Sequence, residues 1–402
     1  MIFDKKTLLY HNFQSTFNRA GPLNHPLESR LQSELNQRQK TGLLRTLEVL
    51  DACKTNLISN DYFQLRSHPQ IIEGARTALE CYGASSSASP LLSGFLPCHE
   101  QLVEQLKSWK QKSAGLLFNT GFMANQALLT HLPGPRDLIL ADRLIHHSIA
   151  QTLGKHDTRF KRYHHLDLAH LEELLDRHSR KFETIFVVTE SVFSMDGDYP
   201  DLVRMAALKQ KYSFIWILDE AHGTGVFGPT GGGLAEEQGV LPEVDIIVGT
   251  LGKALASMGA YVLTNSKTII DYLVNYSGEL IYSTYLGPPQ AGAAAAALKI
   301  IQNSQAIARN IRNTANRFRE QLKTGGWQTN TFDSQIVPVI LSDPKDALEL
   351  RNKLLEHGIL VGAVRPPTVP QNSSRLRFSF HAGVGVEPVE EIITLMNSWK
   401  QR

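Results

Sequence analysis

The chain has 402 residues, enough for one large or two medium domains with a buried core. Its 41 Lys plus Arg nearly cancel its 39 Asp plus Glu, and a formal charge of +2 argues against a broad nucleic-acid footprint. No run of about 18 apolar residues could span a membrane, the N-terminus lacks the apolar stretch of a signal peptide, and Cys53, Cys81 and Cys98 lack Cys-x-x-Cys spacing. A cytoplasmic protein without disulfides or zinc is expected.

In chain order, residues 1 to about 50 form a polar, partly helical segment in which Pro22 and Pro26 interrupt the pattern before a helix over 30–45. Residues 57–62 read as a short strand ending in Ser59-Asn60-Asp61-Tyr62, and a helix over 69–82 stops at Gly83. The Ser-rich segment 84–94 is a loop of the kind that binds ligands more often than it builds cores. A helix over 98–112 leads into a strand over 115–118, then through Asn119-Thr120 into Gly121-Phe122 and a helix to Leu129. The free N–H groups and partial positive charge of such a helix start suit a phosphate; an ordinary strand-to-helix turn is the alternative.

A strand over 137–140 precedes Asp142-Arg143-Leu144-Ile145-His146-His147-Ser148. Adjacent histidines can be surface or structural residues; the functional reading is that one imidazole stacks on a cofactor ring. A metal role would need further ligands, which are not evident, so no metal is expected. The strand over 184–188 ends in Thr189 to Asp198, and Pro200 is placed to open a helix through Tyr212.

Two short apolar runs follow, too compact for helices. Phe214 to Leu218 ends in Asp219-Glu220-Ala221-His222, and Val244 to Val248 reaches Thr250 and Lys253. In open α/β sheets the ligand site lies beyond the carboxyl ends of the strands, so Asp219, His222, Thr250 and Lys253 should converge on one crevice. A lysine amine with a lowered pKa can form a Schiff base, and a buried carboxylate needs a cationic or hydrogen-bonding partner. A pyridoxal phosphate ring answers both needs. An ATPase reading of Asp219 fails for want of a Gly-x-x-x-x-Gly-Lys-Ser/Thr loop upstream.

Beyond Lys253 come Tyr261-Val262-Leu263, Ile281 to Thr284 and a long helix over 289–323 with an alanine run, ended by Gly325-Gly326. The pattern then changes to a strand over 336–341, a helix over 345–357, strands over 359–364 and 376–380, and a helix from Pro388. The expected division is an N-terminal helical segment (1–50), a large domain (51–290) and a small α+β domain (291–402).

With Ser59-Asn60-Asp61-Tyr62, Asn119-Thr120-Gly121-Phe122, Thr189 to Asp198, Asp219 to Gly225 and Thr250 to Lys253 assembled, the chain resembles the α-oxoamine synthase family of fold-type I pyridoxal-phosphate enzymes over roughly residues 40 to 400. The resemblance implies an α/β fold with a mostly parallel central sheet, helices on both faces and a smaller α+β C-terminal domain. It implies pyridoxal 5'-phosphate as cofactor, Lys253 as the internal-aldimine lysine that later removes the α-proton, Asp219 on the pyridinium, His222 on the phenolic oxygen and His146 on the ring face. Gly121, Phe122 and Thr250 would hold the phosphate, with Ser283 and Thr284 reaching it from the second subunit of a homodimer, and Ser194 matches another cofactor-pocket position. Arg365 would clamp the substrate carboxylate with its planar fork, while Arg45 and Thr368 match acyl-substrate positions and Asn60 a further substrate position. The run Arg365 to Pro370 followed by Arg375-Leu376-Arg377 favours a member that condenses L-alanine with a pimeloyl thioester, carried on coenzyme A or acyl carrier protein, with loss of carbon dioxide. A member using glycine or serine with another thioester, and a non-catalytic paralogue serving as a partner subunit, are the alternatives. Two departures stand out: the family's Gly-Ser-Gly-Gly-Ser type loop appears as Gly83 to Ser89, and Ala256-Ser257 follow the lysine where glycine is common.

Overall fold

The structure, a computed structural model, describes residues 25–49 and 55–401. Its strands are β1 (Thr55–Asn56), β2 (Ala114–Phe118), β3 (Leu138–Asp142), β4 (Arg159–Tyr163), β5 (Ile185–Glu190), β6 (Ile215–Asp219), β7 (Ile246–Thr250), β8 (Ala260–Thr264), β9 (Ile336–Ser342), β10 (Ile359–Leu360), β11 (Gly362–Val364) and β12 (Ser374–Ser379). Seven form one sheet in the order β2-β8-β7-β6-β5-β3-β4, with only β8 antiparallel to its neighbours. Helices cover both faces, so β3 and β5 are buried along their whole length and carry the continuous apolar sequence such strands need. Edge strand β4 differs: Arg159, Phe160, Lys161 and Arg162 are exposed and only Tyr163 is buried, which is how charged side chains protect an open edge from pairing.

The chain passes from β3 outward to β4 and then back across to β5 on the other side of β3. That reversal opens a crevice beyond the carboxyl ends of β3, β5, β6 and β7, which deliver Asp142, Glu190, Asp219 and Thr250 to one edge.

A second apolar cluster centres on Phe318, Phe378 and Phe380, beneath the antiparallel sheet β11-β12-β9. It takes in Leu57 from far upstream, because β1 pairs in parallel with β10 (Thr55 with Ile359, Asn56 with Leu360). The helices Pro69–Tyr82 and Pro288–Ile301 bring backbone against backbone on the large sheet: a Cβ on Gly74 would lie 2.7 Å from the Gly292 carbonyl oxygen, so both positions require glycine.

Several expected boundaries shift. The first helix among the described residues is Pro26–Lys40, opened by Pro26 rather than interrupted by it, and Leu43 to Arg45 lie beyond its end. Pairing in the strand expected over 57–62 is confined to Thr55–Asn56, because the following residues turn toward the crevice. Asp201 caps the helix Leu202–Tyr212 by accepting the Arg204 N–H, so Pro200 precedes the helix rather than opening it. The long helix expected over 289–323 is two, Pro288–Ile301 and Gln305–Thr324. At the break Ser304 Oγ donates to the Ile300 carbonyl (2.7 Å), a side chain competing with the backbone ladder. The strand expected over 359–364 divides into β10 and β11, which pair in different sheets.

Candidate active site

Asp219, at the end of β6, is buried and doubly held: Oδ1 accepts the Ala221 N–H at 2.9 Å and Oδ2 accepts Asn125 Nδ2 at 2.9 Å. Asn125 comes from the helix Gly121–His131 and also donates to Ser148 Oγ (3.0 Å), which bonds His146 Nδ1 (2.8 Å). A chain of polar contacts thus fixes His146 relative to Asp219. These bonds hold the acid in place.

Lys253 Nζ lies 2.9 Å from His222 Nε2, and Tyr62 Oη lies 2.6 Å from the other ring nitrogen of the same histidine. Burial pulls the Lys253 amine down to about 8, against the pull of Asp219 and Glu190, which favour its charged form. Burial, with the charges of Lys253 and Arg377 beside it, holds His222 well below the ordinary histidine range, so it is neutral. His146 is also lowered, first by burial. Glu190 stands opposite Asp219 in the β5–β6 register, and burial together with the Asp219 charge pushes it well above the carboxylate range. Among the described residues its Oε1 has no hydrogen-bond partner.

At the other end of the crevice, Thr120 caps the helix Gly121–His131 by accepting the Met123 N–H at 3.1 Å. The first N–H groups of that helix have no intrahelical partner. Thr250 stands beside this turn, since a Cβ on Gly121 would lie 4.0 Å from the Thr250 Cβ, and its Oγ1 accepts the Gly252 N–H at 3.1 Å. Phe122 is exposed, with its ring 6.5 Å from that of His147. Asn119 Nδ2 donates to the Thr284 carbonyl at 2.7 Å within the same chain, which brings half-buried Ser283 and exposed Thr284 up to the helix start. An amine of lowered pKa, a fixed acid, a neutral imidazole and a helix N-terminus are the donor set that a pyridoxal phosphate ring and its phosphate require.

The substrate residues divide. Arg45, His146, Ser194 and Thr368 all line one cavity of about 690 Å³, and Arg45 Nη2 donates to Thr368 Oγ1 at 2.9 Å. Arg365 lies apart from the lysine cluster, donating to the backbone carbonyls of Gly42 and Leu44. The guanidinium within the cluster is that of Arg377, buried, donating to the Ser194 carbonyl and to Asn60 Oδ1 (3.2 Å). Asn60 thus reaches the site through Arg377.

Sequence reasoning quoted Tyr62, Glu190 and Arg377 but gave them no role, and it passed over Asn125. It also missed a clamp on the crevice wall. His165 bonds Asp142 Oδ1 at 2.8 Å and Asp198 Oδ2 at 2.9 Å. Burial lowers its pKa, but the two carboxylates more than reverse this and raise it to about 10. Asp142 also accepts the N–H groups of Leu144 (2.8 Å) and Leu166 (3.0 Å), so the segments carrying His146 and Ser194 are tied to one charged ring.

Comparison with known proteins gives the family. Residues 52–395 match the family described as aminotransferase class I and II. An 8-amino-7-oxononanoate synthase from Chlorobaculum parvum is 42% identical over 349 residues, covering 85% of this chain and 88% of the relative. A structure of SPT with its PLP internal aldimine superimposes with TM-score 0.87 at 25% identity, over 94% of this chain and 99% of that one. The crystal structure of 8-amino-7-oxononanoate synthase from Francisella tularensis gives TM-score 0.75 at 26% identity, over 86% and 98%.

Proposed function

The chain belongs to the aminotransferase class I and II family, among the 8-amino-7-oxononanoate synthases, and we propose that it condenses L-alanine with a pimeloyl thioester, releasing carbon dioxide and the thiol carrier, in biotin synthesis. In that reaction a bond forms between the alanine α-carbon and the acyl carbon, the thiolate leaves, and the alanine carboxylate departs as carbon dioxide. Bound pyridoxal phosphate supplies the electron sink that lets the α-carbon lose its proton.

The observation that carries this reading is the amine of Lys253 set against neutral His222, with Asp219 the foremost carboxylate acting on the same amine. With a pKa of about 8, Lys253 is partly unprotonated at neutral pH and can take a proton from the α-carbon. His222, anchored by Tyr62, orients that amine. Asp219 would face the ring nitrogen, and His146, held by Ser148, the ring face. Gly121, Phe122 and Thr250 would take the phosphate, and Ser194 would line the same pocket. The alanine carboxylate would fall to a guanidinium, that of Arg365, which now donates to the Gly42 and Leu44 carbonyls, or that of Arg377, which stands in the cluster. Arg45, Asn60 and Thr368 would serve the substrates.

The same proposal makes the enzyme a cytoplasmic homodimer, with Ser283 and Thr284 serving the partner's phosphate site. Full activity of a monomer in solution would contradict it. Among the described residues no helix is long and apolar enough to cross a membrane. The alternative with an observation behind it is serine palmitoyl transfer, since the SPT structure superimposes more closely than the Francisella synthase. Identity of 42% against 25% favours the synthase. Assays pairing L-alanine, glycine and L-serine with pimeloyl, acetyl and palmitoyl thioesters decide: alanine with pimeloyl is expected, and a clear preference for serine with palmitoyl sinks the proposal.

A further inference from the structure

The cavity that holds His146 and Ser194 has a second set of groups that the proposed chemistry does not use. Arg143 and Arg162 also line it, both with exposed side chains. They are neighbours by construction. Ala141 pairs with Arg162 in the β3–β4 register, and the Arg143 N–H donates to the Tyr163 carbonyl at 3.0 Å. The clamp just described holds this corner, since Asp142 bonds His165 and accepts the N–H groups of Leu144 and Leu166. Two guanidinium-bearing segments are therefore locked side by side at one rim.

Among the described residues neither guanidinium has an ion pair or a side-chain hydrogen bond. The one carboxylate lining the cavity, Asp196, is bonded to Arg375. Arg45, the third arginine of the lining, bonds neutral Thr368. The remaining wall is largely apolar, with Leu144, Phe193 and Val369. Paired guanidinium forks beside an apolar passage, with no acid to answer them, are the chemistry that receives carboxylate or phosphate oxygens.

Resting on the synthase reading, in which Arg45 and Thr368 of this same cavity serve the acyl substrate, we propose that Arg143 and Arg162 form an oxyanion subsite for the acyl donor. An anion on that donor has two sources, the far carboxylate of the diacid chain and the phosphates of the carrier arm. The subsite makes the two arginines specificity-determining, acting on donor binding and leaving the amino-acid half untouched.

Binding of four thioesters to the cofactor-loaded enzyme without L-alanine, followed by calorimetry, tests this. Pimeloyl-CoA carries both anions, heptanoyl-CoA the phosphates alone, the pimeloyl thioester of N-acetylcysteamine the carboxylate alone, and heptanoyl-N-acetylcysteamine neither. Arg143→Gln and Arg162→Gln should each weaken pimeloyl-CoA about tenfold, and the double variant about a hundredfold, since each removes a charge-assisted contact. Arg159→Gln, on the same strand but outside the cavity lining, should change nothing. A loss confined to the coenzyme A thioesters assigns the subsite to phosphate, and one confined to the pimeloyl thioesters assigns it to the far carboxylate. Affinities within twofold of wild type for all four, an equal loss for the neutral thioester, or a wild type that binds no thioester would overturn the proposal. A wild type that binds pimeloyl-CoA yet forms no product with L-alanine sinks the synthase reading instead, while the comparison of variants still judges the subsite.

Discussion

His222 and His165 are both largely removed from water, and they sit in opposite charge states. His222 has Lys253 Nζ at 2.9 Å on one ring nitrogen and Tyr62 Oη at 2.6 Å on the other, with buried Arg377 nearby, and it is held well below its ordinary pKa. His165 has Asp142 at 2.8 Å and Asp198 at 2.9 Å and is raised to about 10. Burial disfavours the charged ring in both places, so the sign of the neighbours decides the outcome. At the clamp the buried charges have partners of opposite sign. In the crevice the charges of Lys253 and Arg377 both act against a charged ring, and burial together with the Asp219 charge pushes Glu190 well above the carboxylate range. The clamp is built to stay as it is, and the crevice is left with unanswered charge for a ligand to complete.

The severest test of the crevice half is Lys253→Ala. It should lower turnover by about 10³-fold or more, because the group that moves the α-proton is gone. Circular dichroism should be unchanged, and the visible absorption band of the cofactor-loaded protein should disappear. An unaltered band would remove Lys253 from the centre of the site.

The clamp half is tested by stability. In His165→Gln the carboxylate of Asp142, whose side chain has 0% exposure, keeps at most a neutral partner in place of a cation. Breaking a buried pair in this way costs about 3 to 5 kcal/mol. The pH dependence carries a sign. A folded-state pKa of about 10, above the ordinary 6.5, means the His165 contribution is complete below about pH 6.5 and is lost as pH rises through about 10. The gap between wild type and His165→Gln in urea-unfolding free energy should therefore narrow from pH 6.5 to 10. A gap constant across that window would show that His165 is not charged in the folded protein.

The two regions were unequally legible in the sequence. Lys253, Asp219 and His222 could be found because each lies within a few residues of a compact apolar run, and strand ends carry function in such sheets. Tyr62 and Arg377 lie in segments whose approach to the crevice depends on long-range pairing: β1 on β10, and β12 between β11 and β9. No local periodicity encodes such pairings. His165 was one histidine among 15, and its partners are 23 and 33 residues away. The helix break at 302–304 left no trace because no Gly or Pro marks it; Ser304 and Gln305 turn their side chains onto backbone carbonyls instead.

A smaller effect separates the lysine of the crevice from lysines at the surface. With its amine at about 8, Lys253 in the cofactor-free protein should react with an amine-directed reagent along a pH curve centred about two units below the ordinary lysine value of about 10.4. Peptide mapping after brief labelling at pH 8 should find Lys253 ahead of the exposed Lys267. Equal labelling would mean that the crevice does not lower the amine.

The smallest effect concerns how each region makes its tight turn. The loop between Ser194 and Asp198 passes through the left-handed region at Gly197 (φ +67°), where a Cβ would stand 2.2 Å from the Ile336 carbonyl oxygen. The lysine loop makes a similar excursion at Ala256 (φ 48°), whose N–H donates to the Lys253 carbonyl at 2.9 Å. A left-handed alanine costs about 1 to 2 kcal/mol, and glycine in its place gives back part of that through its freer unfolded chain. Ala256→Gly should therefore stabilise the protein by about 0.5 to 1 kcal/mol, read as a small rise in the urea midpoint at unchanged slope. If turnover falls as stability rises, the alanine holds Lys253 at its working angle; if both rise, the methyl group is a burden the loop merely tolerates.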